Sequence, residues 1–343
     1  MEEAVRPFDS HLEQLNLTRT VNSVSATVSA LDEVYSHVLF GRRAAARSQI
    51  ERILSSLLEA DTQERLDFRI SPRSSERFFR IRTGSVGPDE LAPSLDHVCF
   101  HVPLTAIERI SQSRYSAAGL PCLYCANNLD TAWREVGRPS LTGTHGTTTE
   151  GGLNAAIYRN HLELRLLNFV LPASRDFELQ LPNISEKAFP SAHAMLEAAR
   201  WSSVVTTMPI LIAVHTEIDP GLKLRARFRP EYVVPEMIAE LIIGAGVQSE
   251  QEPSILSRFD GIRYSSVQSG KLESGINFAF FPKFSGLTID DAMLNPYCTH
   301  LSRIFLGDSK HVLSSGIASL LDIAQPGDDE HGLSVLEQHL RSA

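Results

Sequence analysis

At 343 residues, with 43% hydrophobic and 21% charged residues, the chain has an ordinary globular composition and the length to bury a full core. A net charge of −9 and a pI near 5.8 set its surface against phosphate backbones, so sequence-independent nucleic-acid binding is not expected. No apolar stretch approaches the roughly 20 residues of a membrane helix, MEEAVRPFDS does not read as a secretory signal, and Cys99, Cys122, Cys125 and Cys298 fit a reducing cytoplasm better than a disulfide framework.

In chain order, residues 1–22 are polar and read as partly mobile. Val24, Val28, Leu31, Tyr35 and Val38 then alternate spacings of four and three, and Ile50, Ile53, Leu54, Leu57 and Leu58 resume the pattern after Phe40-Gly41-Arg42-Arg43. This predicts a helix pair. It either packs on the main domain or serves regulation and self-association as a homodimer. Ser71-Pro72-Arg73-Ser74-Ser75 reads as a linker. Strands are expected at Phe78–Thr83, Val98–Val102, within 154–171, at Ile210–Val214, at Gly261–Ser265 and at Ile276–Phe281. Helices are expected from Leu104 to Ser111, over Ala192–Val204 and Pro235–Ile243, and in the tail over Val312–Ile323 and Leu333–Leu340. Thr142–Gly152 is a Gly/Thr loop that matches no phosphate-binding fingerprint. Strands and helices intermix without regular βαβ alternation, which predicts an α+β fold. The expected organisation is a helical extension over 1–70, a main α+β domain over 75–285 and a helical tail over 286–343.

The stretch from Arg114 to Gly137 holds most of the chemistry. A Gly119-Leu120-Pro121 turn precedes the short apolar strand Cys122–Ala126. Asn127 and Asn128 offer N-cap oxygens, Asp130 suits the first helical turn, and Gly137 can end the helix. Leu129, Ala132, Trp133 and Val136 form one apolar face, which leaves Glu135 on its flank. An arginine, a strand tyrosine and a helical glutamate therefore lie close along the chain.

Arg114-Tyr115, then Tyr124 in Leu-Pro-Cys-Leu-Tyr, then Glu135 in Thr-Ala-Trp-Arg-Glu-Val, resembles the RES-domain family, named for an arginine, a glutamate and a serine. Phe78–Arg82 upstream, Asp260–Ser266 downstream and Gly275–Phe281 extend the resemblance over roughly residues 75–285, in the family's order. It implies an ADP-ribosyltransferase-like mixed β core and an enzyme, often a toxin, that consumes NAD as substrate and needs no metal. The implied reaction is cleavage of the nicotinamide–ribose bond, as a glycohydrolase or phosphorylase. A protein ADP-ribosyltransferase and a non-catalytic nucleotide sensor are the alternatives. An antitoxin or immunity protein that plugs the cleft is the implied partner.

Carried over residue by residue, the resemblance makes Glu135 the catalytic carboxylate, which stabilises positive charge developing on the ribose. Arg80 and Arg114 would clamp the pyrophosphate, with Arg82 the competitor of Arg80 on one strand face. Tyr124 would offer a ring to nicotinamide and a hydroxyl, with Tyr115 in a similar role. Ser266 is the family's serine, a donor to ribose or amide. The family commonly has Tyr-Pro-Ser where this chain has Tyr264-Ser265-Ser266, so Ser265 competes with it. Asn277 follows a small-residue turn and contacts ligand or backbone. The chain also departs from the family's Gly-Arg-Trp-Asn at Ser113–Ser116. Cys122-x-x-Cys125 lacks a second pair at finger spacing, Lys223–Arg229 reads as a solvated strand face, and Asp328–His331 as a polar turn.

Overall fold

A computed structural model describes residues 6–60, 65–72, 74–83, 99–137, 153–171, 192–216, 229–244, 255–266, 275–283, 297–305 and 310–314. The fold is α+β. The chain divides into two compact units, residues 1–67 with 171–241 and residues 68–170 with 242–343. This differs from the organisation expected from sequence at two points: the described part of 171–241 joins the N-terminal helices, and the tail contributes to the sheet.

The first unit is helical. Helix α1 (Arg6–Leu39) begins well before Val24, so the described part of 1–22 is helical rather than irregular. The turn at Phe40–Arg42 separates it from α2 (Arg43–Ala60), as the interrupted periodicity predicts. On α2 the buried stripe is the expected one, Ile50, Ile53, Leu54, Leu57 and Leu58. On α1 it runs through Thr20, Thr27, Leu31 and Val34, and Val28 stays 45% exposed. Threonine serves here because its hydroxyl is satisfied locally: Thr27 donates to the Ser23 carbonyl (2.9 Å), and Thr20 bonds Ser202 across the packed helices (2.8 Å).

That partner helix, α4 (Ala192–His215), absorbs the apolar run Ile210–Val214, which is helix and not a strand. The run is continuous, so it carries no period to separate the two states. Its buried residues Val204, Thr207, Ile210, Leu211 and Val214 have helical spacing, while Ile212 points outward. A further helix, α5 (Val233–Gly244), is tied to α2 by Arg43, which pairs with Glu236 (3.6 Å) and Glu240.

The second unit is built on one mixed sheet in the order β1-β5-β6-β7-β3-β2-β4-β8. Its strands are β1 (Asp67–Ile70), β2 (Phe78–Thr83), β3 (Leu123–Ala126), β4 (Leu153–Tyr158), β5 (Leu164–Phe169), β6 (Gly261–Ser265), β7 (Ile276–Phe280) and β8 (Lys310–Ser314). β5 and β6 run parallel, while β6–β7, β7–β3, β3–β2, β2–β4 and β4–β8 are antiparallel. β8 is strand where the periodicity predicts helix from Val312; residues 315–323 and Leu333–Leu340 lie outside the described residues, as do Thr142–Gly152, residues 223–228 and Asp328–His331.

Alternation sorts the sheet's side chains onto two faces. One face carries Phe78, Leu123, Cys125, Tyr158, Leu166, Phe278 and Phe280 and packs against Phe100, Tyr297 and the helix α6 (Thr299–Phe305). Phe78 meets Phe278, Phe280 and Phe305 edge-on, with centroids 5.0, 5.2 and 5.6 Å away. The other face carries Phe79, Ile81, Ala126, Ala155 and Ile157 under Ala132 and Trp133 of the short helix α3 (Leu129–Glu135). Cys99, Phe100 and His101 are buried and Val102 is half-buried, but these residues form no strand. His101 replaces pairing there: its Nε2 accepts from the Cys298 amide (2.9 Å), which leaves Nδ1–H to donate to the Val102 carbonyl (2.7 Å). Leu104–Arg109 is a short 3-10 helix, close to expectation.

Asp260 joins four segments of this unit and is only 8% exposed. Its Oδ2 accepts from the Arg165 amide (2.9 Å), and its Oδ1 accepts from Lys283 Nζ (3.0 Å) and contacts His300 Nε2 (3.2 Å). Burial pushes the carboxyl upward, but the His300 hydrogen bond, the Lys283 charge and the Arg165 amide outweigh it and hold it below its ordinary value of 3.8. A lowered folded pKa means the stabilisation is full above the ordinary value and is lost as pH falls through the folded one. Asp260→Asn is expected to cost about 1–3 kcal/mol at neutral pH and to flatten the stability loss below about pH 4. Chemical denaturation across pH checks both.

Candidate active site

Helix α3 is short, and its ends are well defined. Asn128 caps it in an extended conformation, its side chain accepting from the Thr131 amide (2.8 Å), and Gly137 ends it with φ 83°. Asn127 pins the helix entrance to β7: its amide donates to the Ile276 carbonyl (2.9 Å) and its Oδ1 accepts from the Ile276 amide (3.0 Å). Asp130 and Arg134, one turn apart, pair at 2.7 Å on the helix flank. With Ala132 and Trp133 committed to the sheet, Glu135 emerges at the end of the helix as an exposed residue.

What holds Glu135 comes from elsewhere in the chain. Its Oε1 accepts from Ser266 Oγ and from Asn277 Nδ2, each at 2.6 Å. Both donors are buried. Only the amide nitrogen of Asn277 can donate to a carboxylate, so the contact also fixes the orientation of that amide. Asn277 Oδ1 is buried and lacks a hydrogen-bond partner among the described residues. Glu135 Oε2 takes no hydrogen bond from a described residue and is the open side of the group.

Strand parity explains why these side chains meet. Asn277 lies opposite Ala126 of β3 and opposite Tyr264 of β6, so it stands on the α3 face with both. Ser265 pairs with Ile276 and alternates to the other face. Ser266 follows the strand, tied back by its amide to the Gly275 carbonyl (2.8 Å), and its hydroxyl reaches Glu135. Of the two serines, Ser266 is the one whose hydroxyl bonds Glu135.

Tyr124 reaches the same face but has spent its hydroxyl. Its Oη accepts from the Tyr115 amide (3.1 Å) and bonds Ser113 Oγ (2.7 Å). These bonds fasten the turn Ser113–Ser116, whose ends exchange amide-to-carbonyl bonds of 2.8 and 3.2 Å and which carries Arg114 and Tyr115. Burial, first of several causes, raises the Tyr124 hydroxyl well above its ordinary range. Tyr115 is fully buried, raised by burial against the opposing charge of Arg114, and its ring lies 4.7 Å from that of Tyr264.

Arg80 does not join this group. It lies opposite Ala156 in the β2–β4 ladder, on the face of Phe78 and Tyr158, away from α3. Its Nη1 donates to the Tyr124 carbonyl (2.9 Å), and its Nε is buried without a partner among the described residues. β2 and β3 share only the register pair Phe79–Ala126, and Arg80 fills the gap where the ladder stops. Arg82 shares the Arg80 face, where burial followed by the nearby Arg80 charge lowers its pKa. The four cysteines are buried free thiols, and burial pushes Cys99 up to about 11 and Cys125 to about 12. No group of three or more metal-ligating side chains occurs among the described residues.

No family model, curated protein or solved structure matches this chain. The site residue missing from the sequence reading is Tyr264. Its signal was the alternation in Gly261–Ser265, which sets Ile262 and Tyr264 on one face just before Ser266.

Tyr124→Phe keeps the ring and removes the acceptor of the Tyr115 amide. It is expected to cost about 1–2 kcal/mol in chemical denaturation and to raise amide exchange in the Ser113–Ser116 turn.

Proposed function

We propose that this chain is a RES-type, NAD-consuming enzyme that breaks the bond between nicotinamide and ribose. The observation that supports it most is Glu135, one oxygen held by two buried donors and the other left open. Such a carboxylate is preorganised toward a charge that appears only during reaction. As the bond to nicotinamide lengthens, positive charge spreads over the ribose ring oxygen and anomeric carbon, and Glu135 Oε2 faces that charge. The two donors on Oε1 prevent the group from turning away, so little reorganisation is needed as charge develops. Nicotinamide leaves as a neutral molecule and requires no general acid. Arg114, on the turn held by Tyr124, supplies the guanidinium for the pyrophosphate, because Arg80 faces the opposite side of the sheet.

Under this reading Ser266 and Asn277 act through Glu135, while Tyr115 and Tyr124 shape the pocket. A cytoplasmic toxin restrained by an antitoxin is the corresponding setting. Among the described residues no helix is long and apolar enough to cross a membrane.

Incubation with NAD and analysis of products with and without phosphate identifies the reaction and the acceptor: free ADP-ribose for water, its 1-phosphate for phosphate, modified protein for a side chain. Glu135→Gln retains an acceptor for both donors. It is expected to keep the fold and NAD binding but to slow nicotinamide release by about 10²-fold or more; normal turnover removes Glu135 from the mechanism. Arg114→Lys keeps the charge but loses the paired grip, so NAD binding measured by calorimetry is expected to weaken by about 10-fold.

A further inference from the structure

We infer that Tyr264 is a ligand-contacting residue, which with Glu135 reads one ribose hydroxyl as both donor and acceptor. The inference rests on the NAD reading and adds to it a residue and a recognised group. Tyr264 lies directly opposite Asn277 in the β6–β7 ladder, and Asn277 Nδ2 is 2.6 Å from Glu135 Oε1. The Cβ atoms of such a pair stand about 4.5–5.5 Å apart on one face, so the phenol is a neighbour of the clamped carboxylate.

The hydroxyls of the site's tyrosines have different uses. Tyr124 Oη is bonded to Ser113 and the Tyr115 amide, and that of Tyr115 is sealed in a fully buried side chain. The Tyr264 hydroxyl has no hydrogen-bond partner among the described residues, and unlike that of Tyr115 it is not sealed from solvent, although the residue as a whole is only 7% exposed. Its ring is held against Tyr115 at 4.7 Å. Burial, and after it the Glu135 charge, raises its pKa well above the ordinary range, so the phenol keeps its proton and remains a donor.

A carboxylate oxygen accepts and a phenol O–H donates. A group that satisfies both at once must carry a proton and a lone pair, which a ribose hydroxyl does and a hydrogen or fluorine substituent does not. The pair therefore selects ligands with an intact hydroxyl on the ribose nearest the scissile bond. A phenol enclosed by a bound ligand and denied its acceptor is penalised, which makes the selection steeper than a bond exposed to water would.

The test compares calorimetric binding of NAD with that of an analogue carrying fluorine in place of the 2-hydroxyl of the nicotinamide ribose. Both are titrated into wild-type protein and into Tyr264→Phe, an isosteric change whose folding is confirmed by thermal melting. Wild type is expected to bind NAD about 10-fold tighter than the analogue, and Tyr264→Phe to lose roughly 5- to 10-fold for NAD while its affinity for the analogue stays within about twofold. An equal loss for both ligands, or no loss for either, overturns the inference and leaves Tyr264 a packing residue. If Tyr264→Phe does not fold, the wild-type comparison decides: equal affinity for the two ligands overturns the inference. Wild-type protein that binds neither ligand and releases no nicotinamide overturns the NAD reading itself, and this inference with it.

Discussion

Two hydrogen bonds to Glu135 Oε1 depend on a register set far from the helix that carries the glutamate. Asn277 sits on the α3 face only because β7 pairs Asn277 with Ala126 on one side and with Tyr264 on the other. A slip of one residue would turn Asn277 into the aromatic layer and bring Ile276 or Phe278 toward the carboxylate. Gly261 helps to hold the register at the far end of β6. A Cβ there would lie 2.3 Å from the Ala279 carbonyl oxygen, so only glycine lets the two strands approach this closely.

The two faces of the sheet do different work. Phe78, Phe278, Phe280 and Phe305 interlock edge-to-face, and shifting any of these strands would break several aromatic contacts together. That rigidity is what the opposite, more polar face exploits. There α3 covers only Phe79, Ile81, Ala126, Ala155 and Ile157, and the ends of β6 and β7 remain for Ser266, Asn277 and Tyr264. At that boundary the Ser266 hydroxyl and the Asn277 side-chain nitrogen share one acceptor, Glu135 Oε1. Asn277 Oδ1 is a buried acceptor without a partner among the described residues.

Local chemistry was readable from the sequence wherever one residue type has one structural use. The Asn128 cap, the Gly137 terminator, the break at Phe40–Arg42 and the strands at Phe78–Thr83 and Gly261–Ser265 all follow from short-range rules. Apolar runs without a period were not readable in this way. Ile210–Val214 is helix, and residues 99–101 are buried without strand pairing, because burial alone does not choose a backbone state. Within the site, the resemblance brought Glu135, Ser266 and Asn277 onto one list but could not say that two of them hold the third. It also could not place Arg80. Arg80 and Phe79 are adjacent in sequence and face opposite sides of the sheet, and which side receives α3 is decided by Ala132 and Trp133.

The placement of Arg80 has a consequence for charge. An arginine whose Nη1 is spent on the Tyr124 carbonyl braces the gap between β2 and β3 and steadies the strand that carries Tyr124. Tyr124 in turn spends its hydroxyl on the turn that carries Arg114. The resemblance favours Arg114 over Arg80, and the fold gives the two arginines successive tasks, one bracing the strand and the other presented by the turn which that strand's tyrosine fastens. The two arginines therefore belong to different parts of the unit, Arg80 to the face of Phe78 and Tyr158 and Arg114 to the half-buried turn fastened by Tyr124. That turn is fastened by the Tyr124 hydroxyl and by its own exchange of amide-to-carbonyl bonds between Ser113 and Ser116. Glu135 is held instead by side chains at the β6–β7 end of the ladder, so the position of its bonded oxygen follows the strand register.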